Sequence, residues 1–197
     1  MKTSLLTAAA VSVSVLLLAA CAKAPAPVAA APAQSFQLYA SVIDLMSGPI
    51  DKAADFLWDS VGTESSPKGP VDKLPKNDKE WAAVREQAVL LAEASNLLMM
   101  EGRVVAHPGQ KLENPPGEGD LTPEQSLAAI NADRATFVGF ARALQATAAS
   151  ALKATEARDV DALLEAGGQI DEACEACHKK FWYPGAPTAP GTEPAAK

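Results

Sequence analysis

Cys174-Glu175-Ala176-Cys177-His178 constrains this chain more than any other stretch. C-x-x-C-H is the pattern by which a c-type haem is attached to protein. Two thiols three residues apart add to the two vinyl groups of one porphyrin, and the adjoining histidine takes an axial position on the iron. On a helix, successive residues turn by about 100°, so Cys174, Cys177 and His178 fall within an arc of about 100° on one face. One flat ligand against that face reaches all three. A zinc half-site and a redox dithiol are the competing readings. Zinc needs about four ligands, and His107 is the only obvious extra one. A redox dithiol is expected beside a β-α-β pattern, and the sequence suggests no strands.

The N-terminus reads as a targeting segment. Lys2 supplies a positive start, and Leu5 to Leu18 form an apolar run too short for a stable membrane span. The run ends in Leu18-Ala19-Ala20-Cys21, which resembles a bacterial lipobox. Residues 1–20 are then a signal peptide and Cys21 carries lipid. The other reading is an ordinary secretory signal cut near Ala20-Cys21-Ala22. Residue 22 is Ala rather than Asp, so the resemblance favours the outer membrane over the inner one. Residues 21–35 are an Ala/Pro-rich tether, extended by its prolines. Residues 184–197 have the same character and are expected to be a disordered tail.

Roughly 150 residues remain between these ends, enough for one domain with a real core. The composition is Ala-rich and poor in aromatics, which favours helix. The formal charge is −7, so nucleic acid is a poor partner.

Four helical segments are predicted. The first spans 35–60, with Tyr39, Val42, Ile43, Met46, Ile50, Ala53 and Leu57 at steps of three and four, interrupted at Gly48-Pro49. The second spans 78–100, opened by Asn77 and Glu80 at capping-box spacing. Its stripe runs through Trp81, Val84, Ala88, Leu91, Ala92, Ser95 and Leu98. Thr122-Pro123 starts a short helix to Ile130, followed by the third main helix at 131–157, with Phe137, Phe140, Ala141, Leu144, Ala148 and Leu152 inward. The fourth starts near Asp159 or Asp161 and ends at Trp182. Its residues Leu163, Gly167, Ile170, Cys174, Cys177 and Phe181 form a coiled-coil-like seam, so the haem cysteines face the bundle core. Gly167-Gly168 inside this helix costs about 1 kcal/mol per glycine relative to Ala. Either a close neighbour requires the missing side chains or the pair is a tolerated weak spot. Residues 61–77 and 101–121 read as irregular surface loops.

Four helices with C-x-x-C-H on the last one resemble the cytochrome c′ or class II cytochrome c family. The resemblance covers residues 36–183, with Phe181 three residues after the histidine; where many members carry Arg at the next position, this chain has Trp182. It implies an all-α four-helix bundle with one covalent haem c on the last helix. Cys174 and Cys177 are then the thioether anchors and His178 the proximal iron ligand. The sixth position divides the family. Low-spin members fill it with a methionine of the first helix and only transfer electrons, whereas high-spin members leave it open and bind small gases.

Met46 is the candidate for that position. A thioether is a soft ligand, and Met/His ligation raises the potential. Its other reading is core filler. Met99 and Met100 are weaker candidates, and His107 reads as a surface histidine. The expected function is an electron carrier outside the cytoplasm, with a five-coordinate protein binding nitric oxide or carbon monoxide as the alternative. The sequence carries no recognisable carboxylate pair and no phosphate-binding glycine loop, so an enzyme is not expected. The partners expected are a redox protein in the periplasm or at the membrane, and the membrane itself through the lipid. Lys179 and Lys180 could steer an acidic partner. The resemblance leaves a homodimer through the first two helices open.

Overall fold

A computed structural model describes residues 36–112 and 116–185. The expected signal peptide, the expected lipid-bearing Cys21 and tether, and residues 186–197 of the expected tail lie outside the described residues. From Gln37 onward the described chain is one unit. In order it forms α1 (Val42–Leu45), a π-helical turn (Met46–Ile50), α2 (Asp51–Ser60), β1 (Gly62–Ser66), β2 (Gly69–Lys73), α3 (Asp78–Leu98), α4 (Pro123–Ala132), α5 (Arg134–Ala157) and α6 (Val160–Phe181). The first predicted helix is thus α1, the turn and α2 in series. With α3, α5 and α6 it makes the four-helix bundle, and α4 leads into α5. Among the described residues no helix is long and apolar enough to cross a membrane.

The helix starts follow their local chemistry. Asn77 accepts from the Glu80 N–H at 3.0 Å. Thr122 and Gln125 form a reciprocal capping box with Pro123 in the first turn, where its missing N–H costs nothing. Asp159 accepts from the Ala162 N–H at 3.0 Å and opens α6. The inward faces meet in a core led by Leu57, Leu91, Leu163 and Ile170, all fully buried. Many of its other members are alanines, including Ala53, Ala88, Ala148 and Ala151. Such small contacts let helix axes approach closely. Tyr39, expected on the inward stripe of the first helix, is instead 84% exposed, because it precedes the N-cap Ser41 and the helical period does not reach it.

One loop expectation is corrected. Residues 62–73 are not irregular but an antiparallel hairpin, paired from Gly62↔Lys73 to Ser66↔Gly69. Both of its faces are largely exposed, so no apolar alternation marked it. The turn was nevertheless legible: Ser66-Pro67-Lys68-Gly69 places Pro and Gly where a tight turn uses them.

The two glycines of α6 separate into two cases. A Cβ on Gly167 would lie 3.2 Å from Trp58 Cδ1, and the Trp58 indole N–H donates to the Gly167 carbonyl at 2.9 Å. The indole of α2 therefore lies on the backbone of α6, and only glycine fits there comfortably. A Cβ on Gly168 would have no atom within 4 Å.

The end of α6 is closed by its own next residues. Trp182 and Tyr183 both donate N–H groups to the His178 carbonyl, at 2.8 and 3.0 Å. The Tyr183 hydroxyl donates to Glu175 at 2.5 Å. That bond is the main cause of a Glu175 carboxyl held below its ordinary pKa, with Lys179 and His178 adding to it against a smaller burial effect.

Two outcomes are expected. Gly168→Ala should stabilise the holoprotein by up to about 1 kcal/mol, whereas Gly167→Ala should gain less or lose stability by crowding Trp58. Urea midpoints of the two variants check this, and equal shifts would contradict it. Glu175, with its folded pKa depressed, contributes stability that is full above its unfolded pKa and fades as pH falls through the folded value. The stability gap between the parent and Tyr183→Phe should therefore be widest at neutral pH and shrink below about pH 4. A gap independent of pH between 7 and 3 would contradict the assignment.

Candidate functional site

Cys174, Cys177 and His178 occupy the last turns of α6 on the side turned toward α5 and the π-helical turn. They line one cavity together with Met46, Leu98, Phe137, Phe140, Ala141, Leu144 and Ala173. The structure thus brings together the four residues singled out for iron and haem, from opposite ends of the described chain. Counted to its open mouth the cavity measures about 320 Å³, and as it stands it has room for about one water.

The position of Met46 follows from a break in its helix. A straight helix through Pro49 would drive the proline ring into the Leu45 carbonyl. Gly48 instead takes a non-helical conformation (φ −102°, ψ −105°), and the Asp51 N–H reaches back to the carbonyls of Gly48 and Met46. The widened turn absorbs the proline and leaves Met46 at the junction, half-buried against the core.

On the other wall, the face of α6 is fixed by Phe181. Its ring meets Phe137 edge-on at 5.5 Å and Phe140 at 6.2 Å. His178 is flanked by Trp182, edge-on at 5.1 Å, and by Tyr183 at 5.9 Å. Burial lowers the His178 pKa, against the opposing charges of Glu175 and Asp51. The shift favours the neutral imidazole at neutral pH, the form that binds a metal.

The electrostatics of the thiols separate the competing readings. Burial first, then the charges of Asp171, Glu175 and Asp51, pushes Cys174 up to about 11. Burial, with Cys174 beside it, pushes Cys177 up to about 12. A redox dithiol requires the opposite shift. A zinc site fares no better, because the described residues contain no group of three or more His, Cys, Asp or Glu able to hold a metal ion. Two neutral thiols and a neutral imidazole on one face of an apolar, aromatic-walled cavity, with a thioether on the opposite wall, fit the donor set of a haem c.

Other residues considered for the site lie elsewhere. Met99 and Met100 do not line the cavity; the Met100 sulfur instead accepts from Arg103 at 3.7 Å. His107 is at the surface, as expected, its side chain 42% exposed, with its Nε2 2.9 Å from the Tyr39 carbonyl oxygen. Lys180 pairs with Asp133 at 2.5 Å and Lys179 with Glu175 at 3.6 Å, so both cations already have carboxylate partners. Ala173 was missed because it lies off the seam read from the sequence. Phe140, Ala141 and Leu144 were legible as inward residues, with nothing to mark them as cavity wall rather than core.

Compared with curated proteins and with solved structures, the chain has no significant match. The family model described as Cytochrome C' matches residues 71–182, which takes in the end of the hairpin's second strand, α3 to α6 and the whole C-x-x-C-H segment. With that match over more than half its length, and a helical bundle carrying the motif on its last helix, the chain belongs to the cytochrome c′ family, whose members bind haem c.

Proposed function

We propose that this protein is an electron carrier holding one haem c, attached through Cys174 and Cys177, with His178 and Met46 as the axial iron ligands. The observation that carries this reading is that Met46 lines the same apolar cavity as Cys174, Cys177 and His178. When bound, the haem supplies a one-electron iron couple. The chain's residues hold that couple and tune it. The two thiols anchor the ring. The half-buried imidazole, its neutral form favoured at neutral pH, presents its lone pair. The Met46 thioether favours the reduced, softer iron and so raises the potential. Phe137, Phe140, Leu98 and Leu144 keep the surroundings apolar, which limits water and leaves little to rearrange between the two redox states.

The site of action that we propose is outside the cytoplasm, at the periplasmic side of a bacterial membrane and more readily the outer than the inner one. The support is the apolar run Leu5–Leu18, the lipobox-like Leu18-Ala19-Ala20-Cys21, and the extracytoplasmic setting in which thioether attachment of haem takes place. Lipid on Cys21 would tether the domain, and a redox protein in the periplasm or at that surface would exchange electrons with it.

Met46→Ala tests the ligand assignment. The parent protein should show a low-spin spectrum with a sulfur-to-iron charge-transfer band, unaffected by carbon monoxide. The variant should lose the band, turn high-spin and bind the gas. A parent spectrum already high-spin and shifted by carbon monoxide would overturn His/Met ligation in favour of an open, gas-binding site; a variant spectrum identical to a low-spin parent's would overturn Met46 as the ligand.

A further inference from the structure

A helix begins with backbone N–H groups that have no partner inside it. In α1 every one of them is met. The Asp44 N–H donates to Ser41 Oγ at 3.1 Å, and Leu45 closes the first internal bond to the Ser41 carbonyl at 3.2 Å. The other two go far along the chain: Val42 N–H to the Val104 carbonyl at 2.9 Å and Ile43 N–H to Val105 at 3.0 Å. The loop after α3 thus acts as the cap of the first helix.

Gln110 is the centre of this arrangement. Its Oε1 accepts from the His107 N–H at 2.8 Å and lies 3.1 Å from the Ser41 hydroxyl. Its Nε2 donates to Asp44 Oδ1 at 2.7 Å. The other Asp44 oxygen accepts from the Ser41 N–H at 2.8 Å and lies 2.9 Å from its hydroxyl. Ser41 is fully buried. His107 adds contacts to the Tyr39 carbonyl at 2.9 Å and to Asp44 Oδ2 at 3.4 Å. The Arg103 guanidinium donates to the carbonyls of Leu97 and Ala40. Among the described residues no buried side-chain polar atom is left without a partner.

Met46 begins one turn beyond Ser41, its N–H bonded to the carbonyls of Val42 and Ile43. On its other side the non-helical Gly48 and Pro49 break helical continuity with α2. The short turn carrying Met46 is therefore tied to the loop on one side, and on the other to α2 only through the Asp51 N–H.

We propose that Gln110, acting through Asp44 and Ser41, is a positioning residue for the Met46 thioether, a latch that keeps the sulfur against the cavity shared with His178. This rests on the His178/Met46 ligation proposed above. It predicts that the strength of the iron–sulfur bond depends on hydrogen bonds made by a loop outside the site.

The test uses the holoprotein. Gln110→Glu keeps the side chain's shape and its acceptor toward His107, and replaces the bond to Asp44 with carboxylate repulsion. The sulfur-to-iron charge-transfer band should weaken, and the fraction of ferrous protein open to carbon monoxide should rise about five-fold, the equilibrium equivalent of one typical net hydrogen bond. Adding Asp44→Asn restores the pair with donor and acceptor reversed, so the band and the resistance to carbon monoxide should return toward parent values. A role confined to stability would lower the urea midpoint and leave the band unmoved. Amide exchange at Val42, Ile43 and Asp44 reports whether the latch has loosened, and Gln110→Met, uncharged and similar in shape, serves should the glutamate variant not fold. Faster exchange with an unchanged band, or a double variant no better than the single one, would overturn the latch while leaving Met46 as ligand. A Met46→Ala spectrum identical to the parent's would overturn both.

Discussion

The edge-on packing of Phe181 against Phe137 and Phe140 decides which face of α6 turns inward. Aromatic pairs in this geometry add about 0.5–1.5 kcal/mol beyond the area they bury, and they sit within one turn of His178. With Leu163 and Ile170 buried further up the same face, the rotation of α6 is fixed at both ends. Cys174 and Cys177 then have no choice but to line the cavity walled by α5. The chemistry of the thiols and imidazole follows from that rotation: burial favours the neutral form of all three groups, which suits metal ligation by the imidazole and disfavours a reactive dithiol.

The opposite wall is built on a different principle. The α1 segment is a single turn, far too short to be stable by itself, and the non-helical Gly48 interrupts its continuity with α2. Its stability comes from outside, through the carbonyls of Val104 and Val105 and the side chains of Gln110 and Arg103. One wall of the cavity is thus held by apolar packing and the other by a directional hydrogen-bond network. Packing is tolerant of small changes in neighbours, whereas a network of this kind fixes one arrangement and loses it when a partner is removed.

The sequence carried most of the helical frame, because amphipathic periodicity and capping residues are local signals. The stripes through Trp81–Leu98, Phe137–Leu152 and Leu163–Phe181 each reach the core, and the Thr122-Pro123 start lies where its chemistry places it. The C-x-x-C-H segment was legible because its three functional groups are adjacent on one helix. The hairpin was not, since two exposed faces leave no alternation to read, although Ser66-Pro67-Lys68-Gly69 marked its turn. The loop at 101–112 was read as surface chain because its role depends on pairings across more than sixty residues, such as Gln110 with Asp44. The spacing Ser41-x-x-Asp44 was a local clue to the start of the first helix and went unread, which is why that helix was drawn from residue 35 and Tyr39 was placed inside.

The central claim is that Cys174 and Cys177 hold a haem covalently on the inward face of α6. The most direct measurement is the intact mass of the denatured protein, produced in cells with haem-attachment machinery, beside Cys174→Ala/Cys177→Ala made the same way. The account predicts that the parent retains the mass of one haem through denaturation and acid–organic extraction, and that the double variant has the mass of the chain alone. A parent protein that is colourless, or that releases its haem on extraction, would contradict it.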